Sequence, residues 1–176
     1  MPTVKSDRPL IALVFGFVVL AISVLGAMVL VEQQQRTYGW VTHTLRVENQ
    51  LTTVLSRLQD AETGQRGYLL TGRQDYLEPY DAAVARLDGD FDTLDAMVAD
   101  NPRQAAAARE LRALADAREA SMQQVLQSYR RGEQAGAIGI IRQGRGKALM
   151  DQIRIAVRRM KVDEGRLLAQ RTDDAR

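Results

Sequence analysis

The chain has no cysteine, one histidine, one tryptophan, four prolines and few aromatic residues among its 176 positions. Without cysteine there is no disulfide framework, no thiolate metal site and no cysteine nucleophile, and a domain in an oxidising compartment must hold together by packing alone. With His43 as the only histidine, no Ser/His/Asp or His/Glu metal constellation can be assembled. His43-Thr44-Leu45-Arg46 also lacks the acidic residue that follows a phosphoaccepting histidine, so His43 reads as a packing or solvent-facing side chain. A surplus of one charge is missing as well. Setting Lys5, Arg8 and Asp7 aside leaves 22 basic and 21 acidic side chains of the 24 and 22 in the chain. They are interleaved, with no basic stripe, which argues against a nucleic-acid surface despite an isoelectric point near 9.1.

Charge is absent altogether from Leu10 to Val31, LIALVFGFVVLAISVLGAMVLV, where Ser23 is the only polar side chain. At about 1.5 Å per helical residue the run covers roughly 33 Å, enough to cross a bilayer core. Ala21-Ile22-Ser23 resembles a signal-peptidase site, but the apolar run continues well past it, unlike a secretory h-region of about 7 to 15 residues. An uncleaved anchor is the expected reading. Lys5 and Arg8 precede the run, which orients the N-terminus to the cytoplasm and everything from Glu32 onward to the outside.

Beyond the run, strand alternation, internal repeats and low-complexity linkers are lacking, and helical periodicity takes their place. Val41, Leu45, Leu51, Val54, Leu55 and Leu58 predict one apolar helix face, and Tyr76, Tyr80, Val84, Leu87, Phe91, Leu94 and Val98 predict another. Asn101-Pro102-Arg103-Gln104 signals a helix start, with Asn101 as cap, Pro102 in the first position and Gln104 where a capping box places Glu or Gln. The next helix carries Ala108, Leu111, Leu114, Ala115, Met122, Val125, Leu126 and Tyr129 and ends at Gly132. After a glycine-dotted segment from Gly136 to Gly146, a last helix carries Leu149, Ile153, Ala156, Met160, Leu167 and Leu168. The expected fold is all-α: an N-terminal transmembrane helix continuing into an extracytoplasmic up-down-up-down four-helix bundle.

Three glycines punctuate DAETGQRGYLLTG, residues 60–72, although each interior glycine costs a helix about 1 kcal/mol. Gly64 and Gly67 share a face and would form a notch for a neighbouring helix, Gly72 would end the helix, and Glu62 and Arg66 are spaced for an intrahelical ion pair. No lysine and hydroxyl residue follow these glycines as in a phosphate loop. Whether Glu62, Thr63, Gln65, Arg66 and Tyr68 only support packing or also contact a ligand is open at this level.

This stretch, followed by Tyr76-Leu77-Glu78-Pro79-Tyr80, resembles the signature of the type-three CHASE family, the extracytoplasmic sensory domains of cyclases and histidine kinases. Residues Gly144 to Arg154 and Glu164 to Arg171 resemble it too. The resemblance implies residues 1-9 as a cytoplasmic N-terminus, 10-31 as the transmembrane helix and 32-176 as a periplasmic sensory domain. It implies a single-pass protein of the inner membrane, a homodimer, and a cytoplasmic or membrane signalling partner. It also implies a second membrane helix and an output domain, before which the chain is expected to be truncated. The alternative reading is a membrane-tethered helical interaction or structural protein with no signalling output. Neither reading calls for a cofactor, a metal or catalytic residues, and neither names a ligand. Counting along the helices puts Arg66 about 50 Å from the membrane, level with Arg145 and Lys147, and Glu164 far below it. The two signature stretches, Glu62, Thr63, Gly64, Gln65, Arg66, Gly67 and Tyr68 with Lys147 and Asp151, are thus expected to meet at the membrane-distal end.

Overall fold

Prolines and left-handed glycines set the element boundaries. Pro9 lies in the first turn of α1 (Arg8–Thr71), Pro79 starts α2 (Glu78–Met97) and Pro102 starts α3 (Pro102–Arg130), all places where a missing amide hydrogen costs nothing. Gly72, Gly132 and Gly144 adopt positive φ directly after α1, after α3 and after α4 (Gln134–Arg142). The chain then runs through α5 (Arg145–Asp173). The computed structural model describes the backbone of residues 8–173 and, before Tyr38, the side chains of only part of α1. Lys5, used above to orient the chain, and Asp7 lie outside the described residues, as do Asp174 to Arg176. Among the described residues there is no strand.

The four long helices alternate in direction. Gln50 and Arg57 of α1 reach Asp90 of α2, and Arg112 of α3 reaches Asp92 and Asp95 of α2. Gln104 of α3 reaches Glu164 of α5, whereas Thr44 and Thr52 of α1 reach Glu164 and Lys161. The bundle is therefore up-down-up-down, with α1 between α2 and α5 and α3 closing the ring. The glycine-dotted segment is a fifth, short helix rather than a loop: α4 packs across α3 at the distal end, its Ala137 buried.

Each long helix buries one line of side chains at alternating spacings of three and four. On α1 that line is Thr44, Val47, Leu51, Val54, Leu58, Ala61 and Gln65. On α3 it is Gln104, Ala108, Leu111, Ala115, Arg118, Met122 and Val125, and on α5 Met150, Ile153, Val157, Met160 and Glu164. Apolar members form a proximal core around Phe91 and a smaller distal core around Leu77 and Met122. Polar residues occupy the ends of these lines at Thr44, Gln65, Gln104 and Glu164, and Arg118 interrupts the α3 line near its distal end. Leu45, expected on the apolar face, is instead 54% exposed, because Thr44 takes the inward position.

Asn101 caps α3 as expected, accepting hydrogen bonds from the amides of Arg103 and Gln104. The Gln104 side chain does not complete a capping box. It is buried and donates to the Met160 carbonyl and to Glu164 across the bundle.

Candidate functional site

The notch expected at Gly64 and Gly67 exists, and its occupant is α2. A methyl group at Gly64 would lie 2.9 Å from the Tyr80 amide nitrogen and 3.0 Å from the Tyr76 carbonyl oxygen. At Gly67 it would meet the Tyr76 ring at 2.5 Å. Gly72, with φ +70, closes α1 through its amide to the Tyr68 carbonyl, and a short 3-10 turn (Gln74–Leu77) folds straight back onto the glycines. The neighbouring helix that the spacing called for is thus α2, not the Gly144 to Asp151 stretch. The segment that follows α1 arrives there first, because its return is only a few residues long.

The Gly144 to Asp151 stretch does reach the same level, one face over. Gly146 approaches Arg118 of α3 so closely that a methyl group there would lie 3.3 Å from Nη1. Arg118 is 5% exposed, and its Nη2 stands 3.7 Å from Oε2 of Glu62. Its Nε has no hydrogen-bond partner. Burial lowers the Arg118 pKa, with the Glu62 carboxylate opposing that shift. The intrahelical pair expected between Glu62 and Arg66 is not formed: Glu62 turns to the buried guanidinium of Arg118, where a countercharge relieves the greater desolvation. Arg66 is exposed.

These side chains border a cavity of about 510 Å³. Glu62, Gln65, Arg66, Leu69 and Leu70 enter from α1, and Arg118, Ser121 and Val125 from α3. Ile138, Ile140 and Ile141 form the α4 wall, and Gly146 and Lys147 the α5 edge. Gln65, buried, donates to the Met122 carbonyl and ties α1 to α3 beneath it. Lys147 bonds Asp151 at 2.6 Å, and this bond, with desolvation opposing it, holds the Asp151 carboxyl below its ordinary value.

Of the nine residues singled out from the sequence, Glu62, Gln65, Arg66 and Lys147 line the cavity, and Asp151 holds Lys147 from outside. Gly64 and Gly67 serve the contact with α2. Tyr68 packs edge-on against Tyr129 at 5.2 Å, and exposed Thr63 bonds back to the Gln59 carbonyl. Arg118 and the α4 isoleucines were not anticipated. The signal for Arg118 was present: it falls on the three-and-four rhythm of α3, where a buried residue belongs.

A second polar cluster lies at the other end. Glu164, 2% exposed, accepts hydrogen bonds from Gln104 Nε2 at 3.0 Å and Thr44 Oγ1 at 3.4 Å. Burial raises its pKa, opposed by the charges of His43 and Arg171 and by those hydrogen bonds. Arg171 stacks over Trp40 at 3.9 Å and lies 3.6 Å from Asp100. Among the described residues no group of acidic or histidine side chains could hold a metal ion.

Comparison with known proteins agrees with this architecture. The sensor domain of the Rhodopseudomonas palustris histidine kinase HK9, known from a crystal structure, superposes with a TM-score of 0.66 at 31% identity, over 71% of this chain and 98% of that one. No curated protein matches. The CHASE3 domain family matches residues 37–174, a stretch holding both signature segments, the cavity and the buried glutamate, and the chain belongs to that family.

Proposed function

We propose that this chain is the membrane-anchored, extracytoplasmic sensory input module of a bacterial signalling protein of the histidine kinase, cyclase or chemoreceptor kind. The observation that carries this reading is the continuity of α1. One helix of 64 residues, about 96 Å long, runs from the apolar segment through the bundle to the cavity. Within that segment Leu13, Phe17, Leu20, Ile22, Leu25 and Met28 are each at least 60% exposed. At about 100° per residue they cover roughly 200° of the helix circumference, an apolar surface suited to lipid and not to water. Among the described residues no helix is long and apolar enough to cross a membrane. Several side chains of the Leu10 to Val31 run lie outside the described residues, and the anchor is proposed from the whole run and from the exposed positions.

In this reading residues 10-31 span the inner membrane, 1-9 are cytoplasmic and 32-176 are periplasmic. Two copies pair, and a stimulus at the distal end shifts α1 or α5 by an ångström or two at the membrane, a displacement that packed helices transmit to an output partner. Exposed Ile155 and Val162, seven residues apart on α5, offer one apolar line for the pairing.

The absence of native cysteine makes the topology directly testable. Thr3→Cys and Gln134→Cys variants are expressed in cells and treated with a membrane-impermeant maleimide. Cys at 134 is expected to label in intact spheroplasts and Cys at 3 only after permeabilisation. The reverse pattern, or labelling of neither position in intact spheroplasts, overturns the reading.

A further inference from the structure

We propose that the distal cavity is a binding site for a small aliphatic monocarboxylate, held by Arg118 and Arg66 with its hydrocarbon chain against α4. The proposal rests on the sensory reading above and gives it a ligand class. Three observations converge on it. The first is an unfinished cation: Arg118 is nine-tenths buried, its Nε is without a hydrogen-bond partner, and its nearest carboxylate oxygen, on Glu62, is 3.7 Å away. Its Nε is closed off inside the bundle, so a carboxylate entering the cavity bonds the terminal Nη groups, whose nearest carboxylate oxygen is 3.7 Å away.

The second observation is the charge count. Three cations border the cavity, Arg66, Arg118 and Lys147, against one carboxylate, Glu62. Asp151 bonds Lys147 from outside the cavity and is shared with Arg154, and Glu62 faces Arg118. Among the described residues exposed Arg66 is left without a carboxylate partner, and it lines the same cavity as the incompletely bonded guanidinium of Arg118. That balance suits an anion and disfavours a cation.

The third is the wall opposite. Leu70, Ile138 and Ile141 are 85%, 50% and 50% exposed around one mouth, an uncovered aliphatic patch next to the cationic edge. No aromatic ring lines the cavity, so nothing there stacks a planar ligand, and its volume of about 510 Å³ admits a flexible chain of several carbons. A ligand seated this way touches α1, α3, α4 and α5 together, and so changes how the long helices sit against one another.

The test uses the full chain in lipid nanodiscs and isothermal titration with hexanoate, with empty nanodiscs as the blank for partitioning. Hexanoate is expected to bind at least tenfold more tightly than 1-hexanol or hexylammonium. Arg118→Gln is expected to weaken hexanoate at least tenfold. Because that variant also strips Glu62 of its partner, two surface variants accompany it. Arg66→Gln is expected to weaken hexanoate about threefold, and Ile138→Glu, which adds a negative charge at an exposed position of the wall, at least tenfold. Heats equal to the blank, selectivity over hexanol below tenfold, or hexanoate affinity unchanged in Arg66→Gln and Ile138→Glu overturns the proposal. Such a failure leaves the maleimide labelling pattern, and the sensory reading it tests, untouched.

Discussion

The two ends of the bundle bury charge in opposite ways. At the end nearer the apolar segment Glu164 is enclosed, with Gln104 and Thr44 donating to its two oxygens and the cation of Arg171 nearby. At the distal end Arg118 is as deeply placed, yet it has one long ion pair, an unbonded Nε and open space beside it. A buried charge that is fully hydrogen-bonded fixes a helix register, whereas one with a vacant donor beside a cavity has binding capacity left over. The same device, a charged residue set into a heptad seam, therefore gives a structural pin at one end and a candidate receptor at the other.

The contrast breaks most severely at Gly64. Its neighbours there are backbone atoms, the Tyr80 amide nitrogen and the Tyr76 carbonyl, which cannot move aside without unwinding the start of α2. Gly64→Ala is expected to destabilise the bundle by about 2 kcal/mol, even though alanine by itself favours a helix by about 1 kcal/mol. At Gly67 the neighbours are Tyr76 side-chain atoms, Cδ1 at 2.5 Å, Cγ at 3.1 Å and Cβ at 3.2 Å; the ring, 42% exposed, can rotate, whereas its Cβ moves only with the backbone. Gly67→Ala is therefore expected to destabilise the bundle, by about 1 kcal/mol, less than Gly64→Ala. Thermal unfolding of the full-length variants in nanodiscs, followed by circular dichroism, separates the two; equal losses would remove the distinction between backbone and side-chain contact.

That difference shows where sequence reading stops. The glycine spacing predicted a notch, and Pro102, Asn101, Gly72 and Gly132 marked helix ends as the structure has them. The meeting of Glu62 and Lys147 followed from helix lengths alone, since rise per residue is nearly constant. The notch's occupant was not legible, because a 3-10 turn can fold back sooner than a helix packed across the bundle. Arg118, Gln65, Gln104 and Glu164 were missed as core residues for a single reason. A search for apolar periodicity skips polar side chains even when they keep the rhythm, and only their partners across the bundle show that they point inward. Helix α4 was obscured by its glycines, which lower helix propensity but do not prevent a helix that packs on α3.

A smaller effect of opposite sign is expected at the enclosed end. Burial raises the Glu164 pKa in the folded protein above the ordinary 4.5 of a glutamate. The fold then holds a proton there that the unfolded chain has released, so the favourable contribution is fully present below about pH 4.5 and is lost as pH rises through the folded value. Glu164→Gln keeps an oxygen for Gln104 and an amide for Thr44 while removing the buried charge. The variant is expected to be about 1 kcal/mol more stable than the wild type at pH 7, with the advantage shrinking toward pH 4. Unfolding in nanodiscs at the two pH values, followed by the fluorescence of Trp40, measures it. A constant difference, or a loss of stability at pH 7, would mean that the carboxylate is held better than its burial implies.

The smallest effect tests whether the cation near Glu164 belongs to the pin. Arg171 is linked to Trp40 by a cation-π contact and to Glu164 by its charge. Arg171→Gln removes both, and is expected to cost about 0.5 to 1 kcal/mol at pH 7. In the Glu164→Gln background only the Trp40 and Asp100 contacts remain to be lost, so the cost there should be smaller and change less between pH 5 and 7. An identical cost in both backgrounds would separate Arg171 from the buried carboxylate and leave Thr44 and Gln104 to hold Glu164, a pin made of neutral hydrogen bonds. Even then the two ends would differ, since the proximal carboxylate would still have its donors in place, and the distal guanidinium would still lack an acceptor.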